Sequence, residues 1–262
     1  MSNLEKFFCW RKNALAASKA HPDKPHELSP LISQDEVSKM LDFITDLINE
    51  HARNVFKDFD IVMQLYLDGR RDDRLYRFFK SCRKPFLIYR SIVFMLTEER
   101  MIDPDLNNFI KLLGKFNDSF FLENNSYATK LRAAFNKIKD NSFPEHVPTS
   151  GFASRFGELK SEILHFFDEM EKKQSVDINS YHDLRKLLKH MLNYFQIFAY
   201  LNRDEISLHK FYEISQLVDV MGDTHDTAIQ QSLKGEVEYI KYKVAIEAGL
   251  FSRVREALTL SQ

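Results

Sequence analysis

The sequence predicts an almost entirely α-helical fold made of two similar halves. Apolar residues recur at helical spacing over most of the chain, and only seven glycines and seven prolines interrupt 262 residues. No Asn-Gly or Asp-Gly turn stands between alternating strands, so the signal of a β-hairpin is missing. With 44% hydrophobic residues and 23 phenylalanines, the chain can bury two helical cores. We therefore predict an all-α fold of two pseudo-symmetric antiparallel four-helix bundles side by side.

The prolines divide this pattern into three segments. Three prolines lie between positions 22 and 30, so residues 1–32 are interpreted as an N-terminal tail or docking arm. Two more prolines, in DNSFPEHVPTSG, mark the boundary between a first helical repeat at 33–145 and a second at 146–262. Helices are predicted at 34–67, 71–98, 104–114 and 116–140, and again at 152–174, 178–201, 205–221 and 225–259.

Helix-breaking residues set the ends of individual helices. Gly69 follows a long helical pattern and is interpreted as a helix stop. The pair Asp103-Pro104 suits a helix start, because proline is favoured at the first helical position. Pro85 lacks a backbone donor inside the second helix, so a kink is expected near residues 81–85.

Charge and cysteine content exclude several classes of protein. The chain has 37 Lys and Arg against 38 Asp and Glu, so any anion site must be a local patch. Two cysteines, Cys9 and Cys82, are too few for a disulfide framework and fit a reducing compartment. No apolar run is long enough to span a membrane, and no signal peptide is recognisable. We expect a soluble cytoplasmic protein.

An internal repeat links the two halves. FIKLLGKFNDSF at 109–120 aligns with LVDVMGDTHDTA at 217–228, through an apolar stretch and Gly-x-x-x-Asp. The same offset of 108 residues sets Arg74 against His182 and Arg77 against Arg185. Agreement between two separate landmarks favours duplication over a chance match of two amphipathic helices.

These motifs resemble those of the CHAD domain family. The second half carries the resemblance most fully, in His182, Arg185, Lys189, Gly222, His225 and Asp226. The first half carries it more weakly, in Arg77, Lys84, Gly114, Asn117 and Asp118. The resemblance implies two four-helix bundles whose second helices line a central channel that binds inorganic polyphosphate. The sequence departs from the family pattern at Arg74, where a histidine is expected, and in its nearly neutral net charge.

The residues themselves indicate a basic face on each of these helices. Residues 70–90 hold eight Lys or Arg and two Asp, the strongest local charge bias in the chain. At about 100° per residue, the basic side chains of each second helix gather opposite an apolar stripe. Such a face binds phosphate or is simply the solvated side of a surface helix. The predicted polyanion ligands are Arg74, Arg77, Lys80, Lys84, His182, Arg185, Lys186, Lys189 and His225.

Two carboxylates follow the glycines of the repeat. Asp118 and Asp226 are predicted to lie at helix starts, where a carboxylate caps exposed N–H groups. The alternative is that each carboxylate orients a basic residue of the second helix. Both interpretations give these residues a supporting role.

Two other functions compete with polyanion binding. The pairs His182-Asp183 and His225-Asp226 resemble part of the metal site of HD-type phosphohydrolases, but no Asp follows Asp226. We therefore expect no catalytic residue, metal or cofactor. The second alternative is a protein-interaction scaffold that docks a partner through residues 1–32. The aromatic cluster of that segment would make this contact or pack back onto the body; it comprises Phe7, Phe8 and Trp10.

Overall fold

The computed structural model confirms the all-α prediction. It describes residues 3–18, 33–122, 125–143, 146, 148, 151–173, 175–203, 205–245 and 248–259. The helices are α1 (Asn3–Ser18), α2 (Gln34–Leu67), α3 (Asp73–Leu96), α4 (Pro104–Asp118), α5 (Tyr127–Ile138), α6 (Phe152–Glu171), α7 (Ile178–Asn202), α8 (Glu205–Leu233) and α9 (Ala248–Thr259). A 3₁₀ turn spans Tyr239–Lys241. Strands β1 (Ser175–Asp177) and β2 (Lys243–Ala245) pair antiparallel, with Val176 opposite Val244.

The chain divides into two units, Met1–Glu5 with Gln34–Ser150 and Lys6–Ser33 with Gly151–Gln262. In the first unit α3 packs against α2 and α4, and α5 packs against the same two helices. In the second unit α7 packs against α6 and α8, and α9 packs against the same two helices. Each unit is therefore a closed ring of four helices. Their side-by-side arrangement stays a prediction.

Phenylalanine side chains build the core of the first unit. Phe59 of α2 stacks on Phe135 of α5 with ring centroids 4.3 Å apart, and it meets Phe79 of α3 at 5.6 Å. Phe109 of α4 completes the cluster at 5.5 Å from Phe59. All four rings are buried. One ring from each helix thus joins the four helices, since aromatic side chains dominate the energetics of such cores.

Aspartate and glycine residues mark the ends of several helices. The Asp72 carboxylate accepts a hydrogen bond from the Leu75 backbone N at 2.9 Å and starts α3. Asp177 caps α7 in the same way through Ser180, also at 2.9 Å. Asp103 begins α4 ahead of Pro104, as predicted. Gly69 has φ +98°, a conformation favoured by glycine, just after α2 ends.

Three sequence predictions about α4 and α8 are wrong. The breaks placed at 114–116 and 221–225 do not exist, because α4 continues through Gly114 and α8 through Gly222. Asp118 is the last residue of α4, and Asp226 lies inside α8, so neither caps a helix start.

The helix α3 runs without interruption through Pro85. The carbonyl oxygen of Cys82, one turn earlier, accepts a hydrogen bond from the buried ring of His51 at 3.0 Å. The imidazole Nε2 must carry the proton to donate it, which fixes the tautomer of His51. The ring of His51 thus adds a side-chain donor in the same turn of α3 in which Pro85 has no backbone N–H to donate.

The N-terminal segment forms a helix rather than an arm over residues 3–18. Phe7 is fully buried, and its ring meets that of Tyr200 of α7 edge-on at 5.1 Å. Trp10 contacts the same tyrosine at 5.1 Å. The aromatic cluster therefore packs back onto the body, as the second of the two alternatives stated. The rest of the predicted tail, residues 19–32, lies outside the described residues.

Among the described helices, none combines the length and the apolar character needed to cross a membrane.

Candidate anion-binding site

In the first unit, an arginine of α3 lies directly on a glycine of α4. The Nε of Arg83 donates a hydrogen bond to the backbone carbonyl of Ile110 at 3.3 Å. A Cβ built on Gly114 would stand 2.6 Å from Nη2 of the same guanidinium. Carbon and nitrogen do not approach so closely, so the guanidinium could keep this position only if the residue had no Cβ. We call this arrangement the arginine–glycine clasp.

The second unit contains the same clasp between α7 and α8. The Nε of Arg185 donates to the carbonyl of Val218 at 3.3 Å, and a Cβ on Gly222 would stand 2.5 Å from Nη2. Val218 and Gly222 follow their first-unit counterparts by 108 positions each. The structure therefore explains the repeated glycine as the residue against which an arginine side chain packs.

The clasp corrects the alignment of the second helices. Arg83, not Arg77, is the counterpart of Arg185, and Lys80, not Arg74, is the counterpart of His182. The offset between α3 and α7 is thus 102 residues, whereas that between α4 and α8 is 108. The connection between clasp arginine and clasp glycine is six residues longer in the second unit. A single offset of 108 residues between the two halves therefore aligns α3 wrongly with α7.

The signal that could have located Arg83 is an Arg-Lys pair in each helix. Arg83-Lys84 and Arg185-Lys186 stand 102 positions apart. Arg90 was also missed. It lies seven residues after Arg83, within about 20° around the helix. Burial lowers the pKa of Arg90, and the positive charge of Arg83 lowers it further, so the two guanidinium groups are close enough to repel.

The remaining predicted ligands of α3 fall on different sides of the helix. Arg77 is exposed and about 120° around the helix from Arg83, and Arg74 is exposed and about 180° away. Lys80 is exposed at about 60° from Arg83 and lies 5.6 Å from the ring of Tyr76. Lys84 follows Arg83 in the chain and is exposed about 100° around the helix from it. Of these four residues, Lys80 lies nearest to Arg83 around the helix, whereas Arg74 and Arg77 lie on other sides.

Both carboxylates of the repeat act on the clasp arginines. Burial lowers the pKa of Arg83, and the negative charge of Asp118 opposes this shift. Burial likewise lowers the pKa of Arg185, opposed first by Asp226 and then by Asp219. The alternative interpretation, in which each carboxylate orients a basic residue, fits these interactions. In both clasps the carboxylate leaves part of the desolvation cost uncompensated.

The second-unit clasp gathers the basic residues that the sequence placed on α7. The rings of His182 and His225 stack with centroids 4.7 Å apart, bringing α7 and α8 together. Charges on the residues around His182 act on it directly; they are Lys186, His225, Arg185 and Lys189. Lys186 also forms an exposed ion pair with Asp183 at 2.8 Å. All five predicted basic residues of this unit therefore belong to one cluster.

The described residues hold no group of three or more His, Cys, Asp or Glu side chains that could bind a metal ion. The two His-Asp pairs lie within this cluster. His225 Nδ1 is 3.4 Å from the Asp226 carboxylate, whose side chain is 74% exposed. His182 stands beside its neighbour Asp183, which is engaged by Lys186.

Comparison of the chain with protein-family models, with curated proteins and with solved structures finds no match.

Proposed function

We propose that the protein binds inorganic polyphosphate, or a related phosphorylated polyanion, on the basic faces of α3 and α7 without catalysing a reaction on it. The observation that carries this proposal is the arginine–glycine clasp, which occurs in both units. A repeated, half-buried arginine held at one orientation is an unusual feature of a surface that is merely solvated. The resemblance to CHAD domains points to the same ligand class.

The clasp suits a phosphate ligand for geometric reasons. The hydrogen bond to the carbonyl uses the Nε–H, and the two Nη atoms carry the other four N–H donors of the guanidinium. A guanidinium fixed in this way has less rotational freedom to lose when it binds. Its planar fork matches two oxygens of one phosphate, with charge-assisted hydrogen bonds. Preorganisation of this kind increases affinity by reducing the entropic cost of binding.

Electrostatics favour the same ligand. Burial lowers the pKa of Arg83 and Arg185 despite nearby carboxylates, so these carboxylates do not fully compensate the desolvation of either guanidinium. A phosphate beside it would offset this cost. Successive phosphates of a polymer would also reach the neighbouring cations, Lys80 and Lys84 in the first unit.

The first unit is the stronger candidate at neutral pH. The residues that follow the two clasp contacts of α4 are Lys111 and Lys115, and both are exposed. Their counterparts on α8 are Asp219 and Asp223, also exposed, and both act on Arg185. Two cations beside the first clasp thus correspond to two carboxylates beside the second. Like charges repel a polyanion, so affinity at the second unit is expected to be lower.

The test is titration of the full chain with long-chain polyphosphate at two salt concentrations, with orthophosphate and sulfate as controls. We expect tight binding of the polymer alone, weakening steeply with salt because bound polyanions release condensed counterions. Replacing Arg185 and Lys189 together by Ala should weaken binding at neutral pH less than the loss of Arg83 does, while helicity stays close to that of the wild type. Absence of polymer binding at low salt would overturn the proposal.

A protein-interaction scaffold is the second candidate, and one surface feature favours it. Phe121 and Leu122, just after α4, are 57% and 52% exposed. Adjacent exposed apolar side chains are typical of contact surfaces, although such residues also occur singly on ordinary surfaces. Failure of polyphosphate binding would transfer support to this candidate.

A further inference from the structure

The helices that form the two clasps differ at two aligned positions. In the first unit these are Lys80 and Asn117; in the second, the same positions hold His182 and His225. A permanent cation and a neutral amide are thus replaced by two imidazole rings, the side-chain type whose charge depends most on pH in proteins. The two imidazole rings stack at 4.7 Å, so they share one environment.

The groups that face the histidine pair come from three elements. On α7 they are Arg185, Lys186 and Lys189, all cationic. On α8, the exposed carboxylate of Asp226 lies 3.4 Å from His225 Nδ1. From the 3₁₀ turn, the ring of Tyr239 contacts His225 at 5.9 Å.

This environment keeps His182 neutral in the ligand-free protein. Burial, followed by the positive charges of Lys186 and its neighbours, lowers the pKa of His182 to about 4. Independently of charge, the Nδ1 atom of His182 is buried and has no hydrogen-bond partner among the described residues. An unpaired buried nitrogen in a cluster of cations is a site where an anion would improve both hydrogen bonding and charge balance.

We propose that the His182–His225 pair makes the second-unit cluster a proton-gated subsite for polyphosphate, recruited as pH falls below neutrality. Bound phosphate places negative charge beside the pair and stabilises its protonated form, so binding takes up protons. The first unit, with Lys80 in the equivalent position, binds without this uptake. The inference rests on the proposed function and adds a regulatory difference between the two units.

The sign of the pH effect follows from linkage. Because the ligand raises the pKa of a histidine that is neutral when free, affinity increases as pH falls through the range between the bound and free pKa values. Each proton taken up changes affinity by about tenfold per pH unit within that range. Internal phosphates of a long chain keep one strongly acidic charge each, so the ligand itself does not titrate appreciably between pH 5.5 and 7.5.

The experiment isolates the second unit within the full chain. In an Arg83→Ala, Lys84→Ala background, affinity for long-chain polyphosphate is measured at pH 7.5, 6.5 and 5.5 at constant ionic strength. We expect affinity to rise by at least tenfold over this range. Adding His182→Asn and His225→Asn should abolish the rise. Adding His165→Asn and His209→Asn, two histidines outside the cluster, should preserve it.

A gain-of-function variant and a spectroscopic measurement complete the test. His182→Lys with His225→Asn installs the first-unit residues and should make affinity pH-independent and higher at pH 7.5. By NMR, polyphosphate should raise the pKa of the His182 imidazole. An unchanged imidazole pKa, or a background variant that does not bind at any pH, would overturn the gating. If wild-type protein binds nothing at any pH, the proposed function itself fails.

Discussion

The guanidinium of Arg83 occupies the space that a side chain on Gly114 would fill. Arg185 and Gly222 repeat this relationship in the second unit. Coincidence would not reproduce the donor, the acceptor position and the glycine together. The clasp is therefore the most specific structural feature that the two units share, and it connects the fold to the proposed binding site.

Replacing Gly114 by Ala should displace Arg83. The substitution gains about 0.5–1 kcal/mol of helix stability relative to glycine. It loses the hydrogen bond to Ile110, worth about 0.5–1.5 kcal/mol, so the net change in unfolding free energy is near zero or unfavourable. Polyphosphate affinity should fall because the arginine is no longer preorganised. Urea denaturation and ligand titration measure the two effects.

Gly157 is the matched control for this change. It lies inside α6, and a Cβ there meets nothing within 4 Å. Gly157→Ala should therefore stabilise the protein by about 0.5–1 kcal/mol and leave binding unaltered. If Gly114→Ala stabilised the protein equally and bound polyphosphate normally, the clasp would have no energetic or functional role.

Charge exchange at four exposed positions should transfer affinity between the units. Asp219→Lys with Asp223→Lys should strengthen polyphosphate binding at neutral pH and steepen its salt dependence, since more cations contact the polymer. Lys111→Asp with Lys115→Asp should weaken it. The comparison is made at low salt with circular dichroism as the folding control. Equal effects of the two pairs in the same direction would contradict the electrostatic argument.

Packing of α1 can be followed through the only tryptophan of the chain. Phe7→Ala removes a fully buried ring that contacts Tyr200, and should cost about 3 kcal/mol of unfolding free energy. Trp10 fluorescence should shift to longer wavelength as its contact with Tyr200 loosens. Phe8→Ala, at a half-buried neighbour, should cost less. Unchanged stability and emission in Phe7→Ala would show that α1 does not pack there.

His51 should make the fold sensitive to acid. Burial lowers its pKa, opposed by the hydrogen bond to the Cys82 carbonyl, so the folded state favours the neutral ring. The unfolded state binds the proton more readily, and stability is therefore retained above the unfolded pKa of about 6.5 and declines as pH falls below it. His51→Gln, measured by urea denaturation at pH 7 and 5, should lose less stability on acidification. An identical loss in both proteins would exclude His51 as a source of the effect.

Long, strongly periodic elements could be predicted from the sequence, and α2 matches its predicted range of 34–67. The repeat can be recognised in the sequence because the residues around Gly114 and those around Gly222 have the same spacing, each within a single helix. The arginine partner was misassigned because the connection to it differs in length between units. Strands β1 and β2 have three residues each and produce no periodic signal.

The helix breaks assigned to Gly114 and Gly222 show a second limit. Glycine is usually interpreted from its backbone freedom, but here it leaves room for a side chain from another helix. That contact depends on tertiary structure and is invisible to local propensity. By contrast, Gly69 was interpreted correctly because its positive φ is a local property.

The most direct measurement compares Arg83→Ala with Arg77→Ala in polyphosphate binding. Both changes remove one positive charge from α3, but only Arg83 forms the clasp, while Arg77 is exposed about 120° around the helix. We expect a loss of about tenfold to a hundredfold in affinity for Arg83→Ala, as for a charged hydrogen bond. For Arg77→Ala we expect a loss of less than about threefold, typical of an exposed charge. Equal losses, or no loss for Arg83→Ala, would contradict this expectation.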